Sequence, residues 1–384
     1  MSRTPELRAA TLDRVLERAV GAGRVPGAVA AVTNAAGVLY RGAFGLAQTA
    51  NQRPMRTDTI FRIASMTKLI TSVALLRIRD EQGLDLDAPF KHWLPAFRQP
   101  EVLVSFDRAS RRYTTRPASS EVTVRQLLTH TSGFGYWFLS PEIGALTEGA
   151  PEYYNPPFLL HDPGLRFTYG IGTDVAGQAI EALTGQPLGE YFAERIFAPL
   201  GMVDTGFDLP QHPARLASVH ARVGDTFVER PSETAGDSPH GGGGLFSTVD
   251  DYVVLLRLLL NAGAVNGRPL LRAASVREIT SNQIGLLWAE RQTTALLSRT
   301  DDFHFLDGTQ KFGLGLAIET RNRSLGRTAG SYGWGGICNT YYWVDPAADL
   351  GAVLMMQVSP FSTPACLALC DEFEAAVLGD ASSS

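Results

Sequence analysis

Lysine is almost absent from this sequence of 384 residues, which contains only Lys68, Lys91 and Lys311 and relies on arginine for the rest of its positive charge. Arginine stays protonated in proteins, whereas lysine can lose its proton and act as a base. One of the lysines lies three residues after a serine, in Ser65-Met66-Thr67-Lys68. Helix positions i and i+3 share a face and lie about 5–6 Å apart, near enough for the two side chains to share a proton. This spacing predicts an activated serine nucleophile.

Cysteine is scarce too, since the sequence has only Cys338, Cys366 and Cys370, and these lack the spacing of metal ligands. Neither a disulfide framework nor a cysteine-bound metal is expected. The seven histidines show no His-x-x-x-His spacing and none pairs with an obvious carboxylate ligand, which argues against a zinc hydrolase. We therefore expect no metal and no cofactor.

Long apolar runs are missing, because no stretch reaches the roughly 18 apolar residues that a membrane-spanning helix needs. The N-terminal segment reads as an amphipathic helix and not as a signal peptide. The net charge of −5 provides no electrostatic surface for nucleic acid or acidic membranes. The simplest expectation is a cytoplasmic protein whose partner is a small molecule.

The nucleophile motif of the common α/β-hydrolases, Gly-x-Ser-x-Gly, is absent as well. Its nearest equivalent is Ala329-Gly330-Ser331-Tyr332-Gly333, which has alanine in the first glycine position and no strand–turn–helix pattern around it. The Ser65 motif has the better context, because apolar residues recur from Leu69 to Ile78 and Gly83 ends the pattern. Ser65 is thus predicted at the start of a buried helix, where backbone N–H groups favour negative charge on its oxygen.

The order of predicted elements is helix, hairpin, helical region, antiparallel strands and helix. Such an order predicts an α/β protein of the α+β type, whose antiparallel sheet is flanked by the N- and C-terminal helices. We expect residues 1–83 and 200–384 to form this sheet domain and residues 84–199 to form an inserted, mainly helical domain. The site would lie in the cleft between them. The clearest strand predictions are 28–33, 38–43, 312–319, 339–344 and 350–357, and the clearest helices are 124–128, 175–183, 188–197, 250–261 and 363–378.

Serine attack requires a group that accepts the serine proton, and with histidine unsuited the best further candidate is Tyr169. It lies in the glycine-bracketed turn Gly164–Gly170, just before a helix predicted to begin near Thr173. A turn of this kind suits a phenol that points into a cleft. An ordinary interface tyrosine is the alternative.

Ser65-x-x-Lys68, Tyr169 and Trp334-Gly335-Gly336 together resemble, in order and approximate spacing, the class C β-lactamase-like superfamily of serine β-lactamases and penicillin-binding proteins. Within it, the sequence looks most like the family VIII carboxylesterases. The resemblance runs from about Val25 to Leu378. The supporting stretches are Leu127–Trp137, Pro199–Met202, Gly242–Leu245 and Phe312–Leu316.

The resemblance implies a β-lactamase-like fold and a role for each matching residue. Ser65 would be the nucleophile that forms an acyl-enzyme. Lys68 and Tyr169 would be its proton-transfer partners, and either could be the base. The oxyanion hole would consist of the backbone N–H groups of Ser65 and Ile337.

Two departures from the lactamase pattern bear on the substrate. Trp334-Gly335-Gly336 replaces a Lys-Thr-Gly motif whose lysine helps to hold the substrate carboxylate, and Ile171 replaces an asparagine that binds an amide. Tyr136, Trp137 and Trp334 are expected to form an aromatic wall and, with Gly335 and Gly336, to bind the substrate. His130 is expected to order its loop.

We therefore expect a serine carboxylesterase for short-chain or apolar esters. The alternatives are a class C-like β-lactamase and an acyltransferase or amide hydrolase that uses the same residues. A non-catalytic, penicillin-binding-like module is the remaining possibility.

Overall fold

An eight-stranded antiparallel sheet lies at the centre of the computed structural model, which describes residues 9–94, 100–147, 157–208, 213–230, 239–324 and 326–379. The strands follow the order β12-β13-β14-β15-β16-β1-β2-β3. Their bounds are β1 Gly27–Thr33, β2 Val38–Gln48, β3 Arg53–Pro54, β12 Lys311–Phe312, β13 Ala317–Ile318, β14 Tyr332–Gly336, β15 Thr340–Asp345 and β16 Leu350–Met355. The two ends of the chain meet where β1 pairs with β16, with Ala31 opposite Val353.

Short strands outside this sheet form four two- or three-stranded groups. Their bounds are β4 Phe61–Arg62, β5 Glu101–Asp107, β6 Arg112–Pro117, β7 His220–Val223, β8 Thr226–Glu229, β9 Phe246–Ser247, β10 Ala264–Val265, β11 Arg268–Pro269 and β17 Val358–Ser359. The helices are α1 Ala9–Gly21, α2 Thr67–Gln82, α3 Val124–Leu128, α4 Pro141–Thr147, α5 Gly172–Thr184, α6 Leu188–Phe192, α7 Ala198–Leu200, α8 Val249–Leu260, α9 Ala273–Ile279 and α10 Pro364–Gly379.

Helices cover both faces of the large sheet. On one face, Leu16 of α1 and Phe373 of α10 are fully or almost fully buried in one apolar cluster with Val32 and Leu350 of the sheet. On the other face, α2 and α8 contribute to a second cluster that also contains Val353. Burial of these apolar surfaces is the main force that holds the layers together. The predicted antiparallel sheet with flanking N- and C-terminal helices is confirmed.

Most predicted elements are present with small shifts at their ends. Helix α3 matches its prediction, and a capping box between Thr123 and Gln126 sets its start. Thr248 caps α8 by accepting the Asp251 N–H group. The single strand predicted at 312–319 is instead the pair β12 and β13, which hydrogen-bond to each other.

Strand β14 and the β5–β6 hairpin are among the elements that the sequence did not predict. Strand β14 is rich in glycine, which usually weakens strands, yet a Cβ atom on Gly333 would lie 2.3 Å from the Tyr342 carbonyl oxygen. The β5–β6 hairpin lies within 84–199, where helices were expected, and is mostly exposed; Val102, Val104 and Phe106 alternate along β5, but Tyr113 is the one large apolar residue of β6. The division of the chain into two domains stays a prediction.

No helix in the described ranges combines the length and the apolar character that crossing a membrane requires.

Asp251 in the first turn of α8 gives the fold a pH dependence that can be measured. Its carboxylate accepts the Asp204 N–H group and the Thr205 hydroxyl group, each at 2.8 Å, and burial raises its pKa to about 6. Because the unfolded pKa is near 3.9, the folded protein binds more protons between about pH 4 and 6. The free energy of unfolding should therefore fall as the pH rises through that window.

We predict that Asp251→Asn removes this contribution. Urea unfolding of both proteins at several pH values between 4 and 7 measures it as a difference between two curves. The difference should change steadily from pH 4 to 6 and then level off. A difference that stays constant with pH would contradict the assignment.

Candidate active site

Ser65 lies in the 3₁₀ turn Ala64–Met66, immediately before α2. Ala64 has a positive φ of 45°, a conformation that is rare for residues other than glycine. The Tyr252 hydroxyl group of α8 donates to the Met66 carbonyl oxygen at 2.9 Å, which ties the turn to α8. Ser65 itself is partly exposed, so its hydroxyl group is accessible to a substrate.

Lys68 lies in the first turn of α2, and its side chain is completely buried. Its Nζ atom is 3.1 Å from Ser65 Oγ, 3.0 Å from Tyr136 Oη and 2.6 Å from the Gly242 carbonyl oxygen. A buried amine is costly unless its protons find acceptors, and these three oxygens provide them. The i, i+3 pair expected from the sequence is therefore in direct contact.

Tyr136 has a position that the sequence did not anticipate. Its hydroxyl group accepts from Lys68 and donates to Asp174 Oδ2 at 3.2 Å, while its ring stacks on Phe138 with a centroid distance of 5.0 Å. The same ring lines the cavity beside Ser65. Tyr136 thus combines the predicted place in an aromatic wall with a hydrogen bond to the buried lysine.

Tyr169 lies behind this wall and is only 2% exposed. Its ring centroid is 5.0 Å from Lys68 Nζ, but its hydroxyl group accepts a hydrogen bond from Trp334 Nε1 at 3.2 Å. Among the described residues, that hydroxyl group makes no hydrogen bond to Ser65 or Lys68. Its predicted part in proton transfer stays a prediction.

His130 supports the turn that carries Tyr169. Its carbonyl oxygen accepts the Thr168 N–H group at 2.8 Å, and its Nδ1 atom accepts the Gly170 N–H group at 3.3 Å. Burial and then the charge of Lys68 lower the pKa of His130 well below its ordinary value, so its ring is neutral at physiological pH. These contacts agree with the expectation that His130 orders its loop.

Strand β14 brings the predicted oxyanion residue next to Ser65. A Cβ atom on Gly336 would lie 2.2 Å from the Ile63 carbonyl oxygen, so only glycine allows this close approach. Ile337 follows β14 and lines the same cavity as Ser65. Their backbone N–H groups remain the predicted oxyanion hole.

The cavity at Ser65 has a volume of about 100 Å³ and draws its walls from residues inside and outside 84–199. Its lining residues are Arg62, Ala64, Ser65, Tyr136, Trp137, Phe138, Ile171, Val219, Arg230, His240, Gly242, Gly243, Gly244, Arg299, Ile337, Cys338 and Ser359. Ile171 is among them, as its comparison with the lactamase asparagine suggests.

Trp334 and Gly335 line a different cavity of about 90 Å³, and Trp334 is 4% exposed. The Trp334 ring packs on Tyr169, Phe305 and Phe312, at centroid distances of 5.1, 5.5 and 5.2 Å. This packing places the indole behind the cavity wall at Ser65. Contact of substrate with Trp334, Gly335 and Gly336 stays a prediction.

Three arginines on the cavity wall were not expected from the sequence. Arg62 and Arg299 lie close to each other, and burial together with the Arg62 charge lowers the pKa of Arg299. Arg230 is exposed beside them. The cavity is therefore lined by both aromatic and cationic side chains, a combination that residue spacing does not reveal.

Asp174 and His240 form the other unanticipated part of the site. His240 Nδ1 contacts Asp174 Oδ1, which also accepts the Gly242 N–H group at 3.1 Å. Burial opposes the negative charge of Asp174, but His240, Lys68 and the Gly242 N–H group outweigh it and lower the pKa of the carboxyl group. The only sequence signal was an acidic residue five positions after Tyr169.

The glycine run Gly241–Gly244 is closely packed. A Cβ atom on Gly241 would lie 2.2 Å from the Thr173 carbonyl oxygen, and one on Gly242 would lie 2.4 Å from Asp174 Oδ2. Small size, and not flexibility, is what these positions require. Within the described ranges, no cluster of three or more histidine, cysteine or acidic side chains could hold a metal ion.

Comparison with known proteins identifies the family of this chain. The protein family described as Beta-lactamase matches residues 12–369. Esterase EstB from Burkholderia gladioli is 30% identical over 408 residues and covers 94% of each chain. Monacolin J acid methylbutanoyltransferase from Aspergillus terreus is 29% identical over 397 residues, covering 95% of this chain and 94% of that protein.

A solved structure of simvastatin synthase (LovD) from Aspergillus terreus, in its LovD6 mutant form, superimposes with a TM-score of 0.84 at 30% identity over 98% of each chain. Similarity of this extent covers the sheet, the flanking helices and the region 84–199 together. The chain belongs to the β-lactamase family.

Proposed function

We propose that this protein is a serine carboxylesterase that forms an acyl-enzyme on Ser65. The observation that carries the proposal is the 3.1 Å contact between Ser65 Oγ and the fully buried Nζ atom of Lys68. A neutral amine can donate its two protons to Gly242 and Tyr136, which leaves its lone pair directed at the serine hydroxyl group. That is the arrangement of a nucleophile with its base.

In the proposed reaction, the Ser65 proton moves to Lys68 Nζ while Oγ bonds to the ester carbonyl carbon. The carbonyl electron pair moves onto its oxygen, which the N–H groups of Ser65 and Ile337 would stabilise; one such donor is typically worth about 2.7–4 kcal/mol. As the carbon–oxygen bond to the leaving group breaks, the Lys68 ammonium group returns the proton to the alkoxide. Water then hydrolyses the acyl-enzyme by the same proton transfers in reverse.

The tyrosine that assists Lys68 is proposed to be Tyr136, whose hydroxyl group contacts Nζ. Tyr169, implied by the resemblance, would have to exchange its hydrogen bond from Trp334 for one to the catalytic pair. A side chain that assists Lys68 must lie within hydrogen-bond reach of Nζ, which favours Tyr136.

The proposed substrate is an ester with an apolar acyl or alcohol group. Tyr136, Trp137 and Phe138 provide aromatic contact surface, and Ile171 offers no hydrogen bond to an amide. Acyl transfer to an alcohol is a second candidate function, because the similar proteins include a named acyltransferase as well as a named esterase. Both functions share the acyl-enzyme and differ only in the acceptor.

We predict that Ser65→Ala abolishes hydrolysis of p-nitrophenyl butyrate while leaving the melting temperature within a few degrees of the wild type. The serine oxygen is the attacking atom, and alanine removes it without changing the backbone. Intact-mass spectrometry after mixing with the ester should show an added acyl group on the wild-type protein alone. Retained turnover in the variant would overturn the assignment of Ser65.

We predict further that kcat/KM for p-nitrophenyl butyrate exceeds that for the β-lactam nitrocefin. No lysine stands at 334 to bind the lactam carboxylate, and Ile171 cannot bind its amide. A higher kcat/KM for nitrocefin would contradict the proposed substrate class.

Hydrolysis and acyl transfer are separated by adding an alcohol such as benzyl alcohol to the reaction. The amount of butyrate then measures hydrolysis, and the amount of benzyl butyrate measures acyl transfer.

Paired variants decide between the tyrosines. Tyr136→Phe should lower kcat/KM for the ester about 100-fold, because Lys68 loses an acceptor that directs its Nζ atom toward Ser65, and a misplaced catalytic group costs about that much. Tyr169→Phe should have a smaller effect, since it removes only the acceptor for Trp334 Nε1. Trp334→Phe, which removes the donor of that bond, is the matched control. If Tyr169→Phe is the more damaging variant, Tyr169 has the proton-transfer role.

A further inference from the structure

A buried acid beside the proposed catalytic lysine has no part in the mechanism described so far. Asp174 lies in the first turn of α5, and its side chain is 13% exposed. Isolated charges at such positions are costly and usually persist only where their hydrogen bonds are satisfied. The partners of Asp174 therefore bear on what it does.

The Asp174 carboxylate has three hydrogen-bond partners from two separate segments of the chain. Oδ1 contacts His240 Nδ1 and accepts the Gly242 N–H group at 3.1 Å, and Oδ2 accepts the Tyr136 hydroxyl proton at 3.2 Å. A carboxylate with several donors is well suited to remain ionised. An ionised carboxylate has no proton to donate, so in this hydrogen bond Tyr136 must be the donor.

The direction of that hydrogen bond fixes what Tyr136 can offer to Lys68. With its own proton committed to Asp174, the Tyr136 oxygen faces Lys68 Nζ as an acceptor at 3.0 Å. Gly242 repeats the pattern, because its N–H group binds Asp174 and its carbonyl oxygen binds Lys68 at 2.6 Å. Both acceptors of the lysine are thus held in place by the same carboxylate.

We propose that Asp174, anchored by His240, is the positioning residue of the Ser65–Lys68 centre. It orients Tyr136 and Gly242, which accept the two protons of the neutral Lys68 amine. The lone pair of Nζ is then directed at Ser65. Its negative charge stabilises the ammonium group that Lys68 becomes when it takes the serine proton, while Asp174 itself stays ionised. This inference rests on the proposed function, in which Lys68 is the base.

The charged and titratable groups that surround Lys68 and Asp174 come from several elements. They are Tyr136, Tyr169, His130 and His240 around the pair, with Arg62, Arg230 and Arg299 on the cavity wall. Against the cost of burial, electrostatic attraction to His240 and to Lys68 lowers the pKa of Asp174. Removing the Asp174 charge should therefore make it easier for Lys68 to lose its proton.

The test measures how fast Ser65 reacts with a fluorophosphonate, in which Oγ displaces fluoride at phosphorus. This rate reports nucleophile activation at each pH between 5 and 9 without requiring the natural substrate. For Asp174→Asn we expect a plateau rate that is ten- to a hundredfold lower. The acidic limb, the part of the pH profile in which the rate rises as Lys68 loses its proton, should lie about one pH unit lower. Asp174→Glu, which keeps the charge, should return the limb toward its wild-type position.

Asp251→Asn is the matched control, because Asp251 is also a buried acid in the first turn of a helix that accepts one backbone N–H group and one hydroxyl group. It should leave the rate of labelling and the limb unchanged. A purely structural role for Asp174 would lower the rate without moving the limb, and a limb at the wild-type position in Asp174→Asn would overturn the proposal.

If Asp174→Asn does not fold, the anchor is tested instead. His240→Ala should slow labelling at least tenfold, whereas His240→Asn, whose amide can donate in place of Nδ1, should retain most of the rate. Equal rates in both variants and the wild type would overturn the proposal.

The labelling and turnover experiments distinguish the role of Asp174 from the proposed esterase function. Labelling of Ser65 with the expected shift in Asp174→Asn, but without ester turnover, would refute the esterase assignment and support the role of Asp174. Absence of labelling at Ser65 in the wild-type protein would refute both.

Discussion

The buried amine of Lys68 constrains the positions of the segments that surround it. The Lys68 side chain is fully buried, and removing an ammonium group from water is expensive, by several kcal/mol even after the surroundings relax. The amine is accommodated because the Ser65 turn, the Tyr136 loop and the Gly242 backbone each bring one oxygen to Nζ. Loss of the Tyr136 or the Gly242 oxygen would leave a buried donor of Lys68 unsatisfied.

Close backbone packing makes this convergence possible. Gly241 and Gly242 let their segment lie directly on α5 and on the Asp174 carboxylate, and Gly336 lets β14 approach the turn that carries Ser65. A side chain at any of these positions would separate the segments by more than a hydrogen bond can span. The glycines therefore act through their size, and the site depends on them as much as on its polar groups.

The cavity at Ser65 combines two chemical characters. Aromatic and aliphatic side chains line it together with three arginines. Family membership accounts for the fold, whereas the function depends on the residues at the site. Under the proposed function, hydrolysis and acyl transfer would use the same Ser65–Lys68 pair, so the choice between water and an alcohol as acceptor would depend on the other lining residues.

Local sequence patterns define the features that depend on near neighbours. The i, i+3 spacing of Ser65 and Lys68, the caps of α3 and α8, and the alternating strands are local patterns, and they sufficed to predict the sheet with its flanking helices and the contact between Ser65 and Lys68. Tertiary packing determines which tyrosine contacts Lys68 and places Asp174 and His240 next to that tyrosine. It also packs Trp334 against Tyr169 and not into the wall of the Ser65 cavity. Residues 68, 136, 174 and 240 are far apart in the chain, and no periodicity relates them. Their contacts exist because packed layers of helix and sheet bring separate segments within hydrogen-bond distance.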